Sequence, residues 1–194
     1  MIGHLATYIR ERFRLRIYGP AIVLHAAAAW WAAGTSLTWT SSVRLAGLAT
    51  LLLLQFRLWD DVEDRDRDRN SHPDRVTVRA PAAPFQIALV VLTLGTLAAV
   101  AAPASSWTAG LLLFMDLAAW AVYRLARPHI PAAQWRFVVL AKYPLFVGLL
   151  AATIGASLST RLLVAAAVVY ACACAYEIIH DPNGASVAET AGMQ

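Results

Sequence analysis

Between Arg79 and Asp116 the chain carries no charged side chain at all. A soluble fold of this size has little room for such a stretch, whereas two membrane crossings joined by a short turn take it directly. The segment "PASS" at 103–106 supplies the break in its middle. Comparable apolar runs flank it, and six can be marked, at 17–34, 43–60, 83–102, 107–126, 136–156 and 161–179. Each approaches or meets the roughly 17–25 residues that a helix needs to cross a hydrocarbon core. Helices are the expected form, because backbone polar groups in lipid must bond within their own segment. Only 14% of the 194 residues are charged and 59% are hydrophobic, against roughly 25% charged in soluble domains. The expected fold is all-α, a polytopic membrane helix bundle of about six transmembrane helices.

The basic residues give a second, independent reading of the same partition. Arg10, Arg12, Arg14 and Arg16 precede the first run, and six arginines lie between Arg57 and Arg79. Arg124, Arg127 and Arg136 flank the fourth connection, while the opposite connections hold only Arg44 and Arg161. That alternation is the positive-inside pattern for both termini cytoplasmic, in an inner or plasma membrane of the bacterial type. The net charge of +4 is thereby spent on topology, and no nucleic-acid partner is expected. Residues 1–16 interleave arginines with Tyr8, Ile9, Phe13 and Leu15, as an interfacial amphipathic segment does. Residues 17–181 form the bundle, and the small polar residues of 182–194 a flexible tail.

Against this background "FRLWDDVEDRDRDRNSHPDRV", residues 56–76, stands out. Seven of the twelve acidic residues lie between Arg57 and Arg79. Asp60, Asp64 and Asp68 are spaced i, i+4, i+8 and share one face if the second helix runs past the membrane edge, with Asp61 beside them. Carboxylates so close repel one another unless cations bind, and a hard oxygen set suits magnesium, which keeps waters and takes phosphate oxygens as further ligands. Glu63, Asp66 and the intervening arginines read as the solvated surroundings of that face.

"RLWDDVEDRDRD" resembles the first aspartate-rich motif of the UbiA prenyltransferase superfamily, with Asp60, Asp61, Asp64 and Asp68 at its acidic positions and Arg57 before them. "HPDRV", containing Arg75, stands where that family has a basic element, and "AVYRLARPH" resembles its Tyr-plus-basic segment, with Tyr123, Arg124 and Arg127. "YEIIHD" is similar to its second acidic motif, with Glu177 and Asp181 at i, i+4. The resemblance implies a magnesium-dependent membrane enzyme that ionises an isoprenyl diphosphate and transfers the prenyl group to an aromatic or lipid-like acceptor. It implies metal and catalytic roles for the four aspartates, Glu177 and Asp181. It implies diphosphate contacts for Arg57, Arg75, Tyr123, Arg124 and Arg127, on the cytoplasmic side. Members of the family carry more helices than the six read here, and those helices wall the prenyl cavity. Self-association into a homo-oligomer, a partner subunit or a smaller substrate chamber could compensate. A terpene cyclase shares the ionisation chemistry and is the alternative enzyme; a nonenzymatic subunit that keeps the fold is the other alternative.

Asp116 and Lys142 lie inside apolar runs and are costly there unless paired or hydrated. They read either as an interhelical ion pair or as cavity-lining groups, with Lys142 reaching the diphosphate. Tyr143, Tyr170, Trp59 and Trp120 are candidates to face a carbocation, or else packing residues. His180 lies between Glu177 and Asp181, while Cys172 and Cys174 read as small apolar filler.

Overall fold

The computed structural model describes residues 2–36, 38–101 and 106–180; Asp181 and the tail 182–194 lie outside the described residues. The secondary structure described is entirely helical. A short helix α1 (Ile2–Arg12) is followed by α2 (Leu15–Ala33), α3 (Trp39–Glu63), α4 (Arg65–Ser71) and the single turn α5 (Val76–Arg79). Then come α6 (Ala83–Ala101), α7 (Ser106–Ala121), α8 (Ala132–Leu140), α9 (Lys142–Thr153) and α10 (Thr160–His180).

Five helical stretches are long and apolar enough to cross a membrane: Trp39–Glu63, Ala83–Ala101, Trp107–His129, Gln134–Thr153 and Thr160–His180. Their outer faces support the same conclusion. Ile87, Val90, Val91 and Leu94 on α6, Phe114 and Leu117 on α7, and Leu163 and Val168 on α10 are all exposed. So much outward apolar surface is unfavourable in water and matches lipid. The protein is an integral membrane protein. Trp30, Trp31, Trp39 and Trp107, all exposed, sit where α2 ends and where α3 and α7 begin, as an interfacial aromatic belt does.

The first of the six expected runs forms a helix, α2, but it is not among the five. Arg16, Tyr18, Pro20, His25, Trp30 and Trp31 dilute its apolarity. It packs instead against α9, α10 and α3. Small residues let it approach closely, with Ala29 and Ala32 buried in the core beside Leu48, Leu52, Phe146 and Leu150. A second, smaller cluster joins Tyr8, Leu58, Val76, Ala80 and Phe85, seating α1 and α5 at the end of α3 where the charges lie.

Local chemistry sets the boundaries. Thr38 opens α3 through a capping box, its Oγ1 accepting from the Ser41 N–H while Ser41 Oγ accepts from the Thr38 N–H. Gly34 closes α2 in the left-handed region, at φ 65°. A Cβ there would stand 2.9 Å from Arg161 Nη1. Gly34→Ala is therefore expected to destabilise the protein by about 1 kcal/mol or more, read as a lowered thermal midpoint in detergent. The run expected at 136–156 is divided at Ala141, where α8 ends and α9 begins. Pro144, lacking an N–H, cannot bond the carbonyl four residues back, which accounts for the break. That break brings Lys142 to the charged end of α3.

Candidate functional site

The backbone at the end of α3 runs almost unbroken into α4. Asp64 N–H donates to Asp60 O at 2.9 Å, Asp68 N–H to Asp64 O at 2.8 Å and His72 N–H to Asp68 O at 2.7 Å. Asp60, Asp64 and Asp68 therefore follow one another at successive turns, with the shared face that their spacing predicts.

The segment after α7 meets Asp60, Glu63 and Asp64, while α1 meets Asp61 and the residue before α5 meets Asp68. Asp60 accepts from Tyr123 Oη and pairs with Lys142 Nζ. Asp64 pairs with Arg127. Asp61 is held by a two-pronged Arg12 guanidinium, Nη2 to Oδ1 at 2.8 Å and Nε to Oδ2 at 3.2 Å. Tyr8 Oη also donates to it at 2.9 Å, and Arg57 Nη2 lies 3.2 Å from Oδ1. Asp68 pairs with Arg75 at 2.5 Å and lies 3.7 Å from His72 Nδ1. Glu63 pairs with Arg124 at 3.2 Å, whereas Asp66 is exposed and, among the described residues, pairs only with Arg69 of its own helix.

The four aspartates fall into two kinds. The Asp61 and Asp68 side chains are 4% and 6% exposed, closed over by their partners. Those of Asp60 and Asp64 are 14% and 32% exposed and stay reachable. Burial raises the Asp64 carboxyl above the usual carboxylate range, and the hydrogen bond and charge of Arg127 oppose that rise. A carboxyl that holds its proton more tightly folded than unfolded costs stability as pH rises from the ordinary value through the raised one. Arg127→Ala should enlarge that loss, read as a steeper fall of the thermal midpoint with pH.

The segment bearing Tyr123 and Arg127 owes its position to an irregularity at the end of α7. A π-helical turn, Val122–Ala126, is followed by a 3-10 turn, Arg127–His129. Such turns re-aim side chains that a straight helix would send elsewhere. Arg127 also lies over the Trp135 ring at 5.2 Å, and Tyr123 meets Trp135 edge-on at 5.3 Å. Tyr123, Arg127 and Trp135 form one packed unit.

Beside the charged end lies a cavity of about 940 Å³. Arg57, which pairs with Asp61, lines it, as does Tyr143, whose ring is 5.6 Å from Lys142 Nζ. Its walls are apolar at Leu24, Leu53, Leu140 and Val169, and aromatic at Tyr18, Tyr143 and Tyr176. Arg14, Arg16 and Glu177 also line it, and among the described residues none of these three makes an ion pair. The cavity therefore offers cationic and apolar walls together, the requirement of an anion carrying a hydrocarbon tail.

The other sequence candidates are placed as follows. Lys142 meets Asp60 and not Asp116, which instead accepts from Gln55. Trp120 is exposed, Trp59 stacks on Phe56, and Tyr170 donates to the Phe137 carbonyl at 3.2 Å. His180 lines the cavity and stacks on Tyr176, and Cys172 lines it too. Arg65, expected in a solvated surround, donates to the Ala80 carbonyl at 2.7 Å and fastens α5. Sequence reasoning missed Arg12 and Tyr8 as partners of Asp61. The signal was the basic run itself, which topology alone already explained.

The donor set fits magnesium at two positions. Among the described residues no three His, Cys, Asp or Glu side chains converge as a ready-made metal cage. Magnesium does not require one, being held by one or two carboxylates with waters and substrate phosphates. Asp60 and Asp64 meet that need as reachable hard oxygen donors; Asp61 and Asp68 are committed to buried ion pairs.

Compared with protein-family models, curated proteins and solved structures, the chain finds no match.

Proposed function

We propose that this is a magnesium-dependent membrane enzyme that ionises an isoprenyl diphosphate and passes the prenyl group to an aromatic or lipid-like acceptor. The bundle would cross the membrane six times, α2 included, with both termini and the charged site cytoplasmic. The observation that carries the reading is the matched set of acids and bases at the end of α3, beside a cavity with cationic and apolar walls. Asp60 pairs with Lys142 and Asp64 with Arg127. A magnesium–diphosphate pair offers each side a better partner, since carboxylates favour the metal and cations favour phosphate oxygens.

Asp60 and Asp64 would hold the metal, with Glu177 and Asp181 as the facing acids. Lys142, Arg127 and Arg57 would take diphosphate oxygens, with Arg75 and Arg124 at the periphery through Asp68 and Glu63. Tyr123 keeps Asp60 oriented. Magnesium held by these carboxylates would supply charge neutralisation for the diphosphate leaving group. Leu24, Leu53 and Val169 give the prenyl chain a dry wall, and the Tyr143 face stabilises positive charge left on the allylic carbon. The allylic C–O bond breaks with its electron pair leaving on the diphosphate; the acceptor supplies the pair for the new bond and gives up a proton.

Incubation with a labelled isoprenyl diphosphate, with and without an aromatic acceptor, tests the transfer. The expected product is a prenylated acceptor that forms only when the acceptor is present. Cyclised hydrocarbon in both reactions would assign the chain to the terpene cyclases instead.

A further inference from the structure

Away from this site, Gln55 of α3 and Asp116 of α7 meet inside the bundle. Gln55 is fully buried and Asp116 is 8% exposed. Gln55 Nε2 donates to Asp116 Oδ1 at 2.9 Å. Two acceptor atoms of the same pair, Gln55 Oε1 and Asp116 Oδ2, are buried and have no hydrogen-bond partner among the described residues. Each orphaned acceptor in an apolar interior is costly, and an ionised carboxylate is costlier still.

On α2, which packs against α3, the buried His25 donates from Nδ1 to the Ala21 carbonyl at 2.7 Å and its ring lies against Tyr143 and Phe146. The charged groups of the other surrounding elements are engaged elsewhere. On α3, Arg44 donates to the Thr153 carbonyl at 3.0 Å, Arg57 pairs with Asp61, and Asp60 and Asp61 belong to the charged end. α6 contains no charged residue. On α9, Lys142 pairs with Asp60 and Tyr143 faces the cavity. In the turn after α7, Tyr123 bonds Asp60 and Arg124 pairs with Glu63.

One proton resolves both defects. We infer that Asp116 is protonated at neutral pH and closes a two-bond acid–amide ring with Gln55, an intramembrane proton-binding site that ties α3 to α7. In that ring Asp116 Oδ2–H donates to Gln55 Oε1 while Gln55 Nε2–H donates to Asp116 Oδ1. Each of the four polar atoms of the pair then has at least one hydrogen-bond partner. The alternative ligand for the two orphaned acceptors is a monovalent metal cation, which would require the carboxylate to be ionised.

Infrared spectroscopy of the purified protein at neutral pH, in sodium-containing and sodium-free buffer, separates the two. The expected result is a carbonyl band of a protonated carboxyl, insensitive to sodium and lost in Asp116→Asn. Asparagine presents the same donor and acceptor as the protonated acid, so this variant should keep the wild-type thermal midpoint. Gln55→Leu, which strips the acid of its partner, should lower it. Absence of the band from the wild type, or a band that sodium removes, would overturn the assignment.

Discussion

Asp61→Ala should be the most damaging single substitution in the charged region, destabilising the protein by about 3–5 kcal/mol. The carboxylate is 4% exposed and answers Arg12, Arg57 and Tyr8 together. Removing it leaves two guanidinium groups and a phenol facing one another across a buried gap. The loss should spread to α1, because Tyr8 and Arg12 are the side chains that fasten that helix to α3. Thermal unfolding in detergent, with Asp66→Ala as the control, measures it. Asp66 is exposed and, among the described residues, pairs only within α4, so its loss should stay within about 0.5 kcal/mol. Equal midpoints for the two variants would remove Asp61 from the frame of the fold.

Asp64→Ala should show the opposite profile: a folded protein that no longer turns over. Its side chain is 32% exposed with Arg127 as its one ion-pair partner among the described residues, so truncation removes a reachable ligand rather than a buried brace. Loss of an outer-shell partner of a metal ligand costs roughly 10–100-fold, and loss of the ligand itself should exceed that in kcat/KM. The thermal midpoint should move far less than in Asp61→Ala. Two neighbouring aspartates of one motif thus have separable roles, and a variant pair that loses stability and activity in the same proportion would contradict the division.

The helices were legible to different degrees, for physical reasons. α6 could be read directly, since nothing charged interrupts it and little else is compatible with such a run. The shared aspartate face also followed from spacing, because Asp60, Asp64 and Asp68 need only a continuing helix. What spacing could not supply was the partner of each acid. Lys142 and Asp116 were both visible as costly groups in apolar runs, yet their choice of Asp60 and Gln55 depends on the break before Pro144 and on the packing of α7. The π-helical turn at Val122–Ala126 leaves no periodicity in the sequence, although it aims Tyr123 and Arg127. Gln55 itself was exposed to reading as the lone amide in "LLLLQF", and its pairing with an acid in another run is the kind of contact that polar side chains in lipid seek. The length and apolarity of the first run and the arginines before it read as a span; its tryptophans, proline and histidine suit packing against α9 and α10 as much as lipid contact.

The central claim is that the acids and bases at the end of α3 exchange their mutual pairing for a magnesium–diphosphate substrate. Release of pyrophosphate from a panel of isoprenyl diphosphates of different chain length, followed with and without magnesium, tests it most directly. The account predicts magnesium-dependent release by the wild type from at least one chain length, abolished by Asp64→Ala in a preparation whose thermal midpoint shows it to be folded. No release from any member of the panel by folded wild-type protein would contradict it, and would leave the charged cluster as a purely structural clasp.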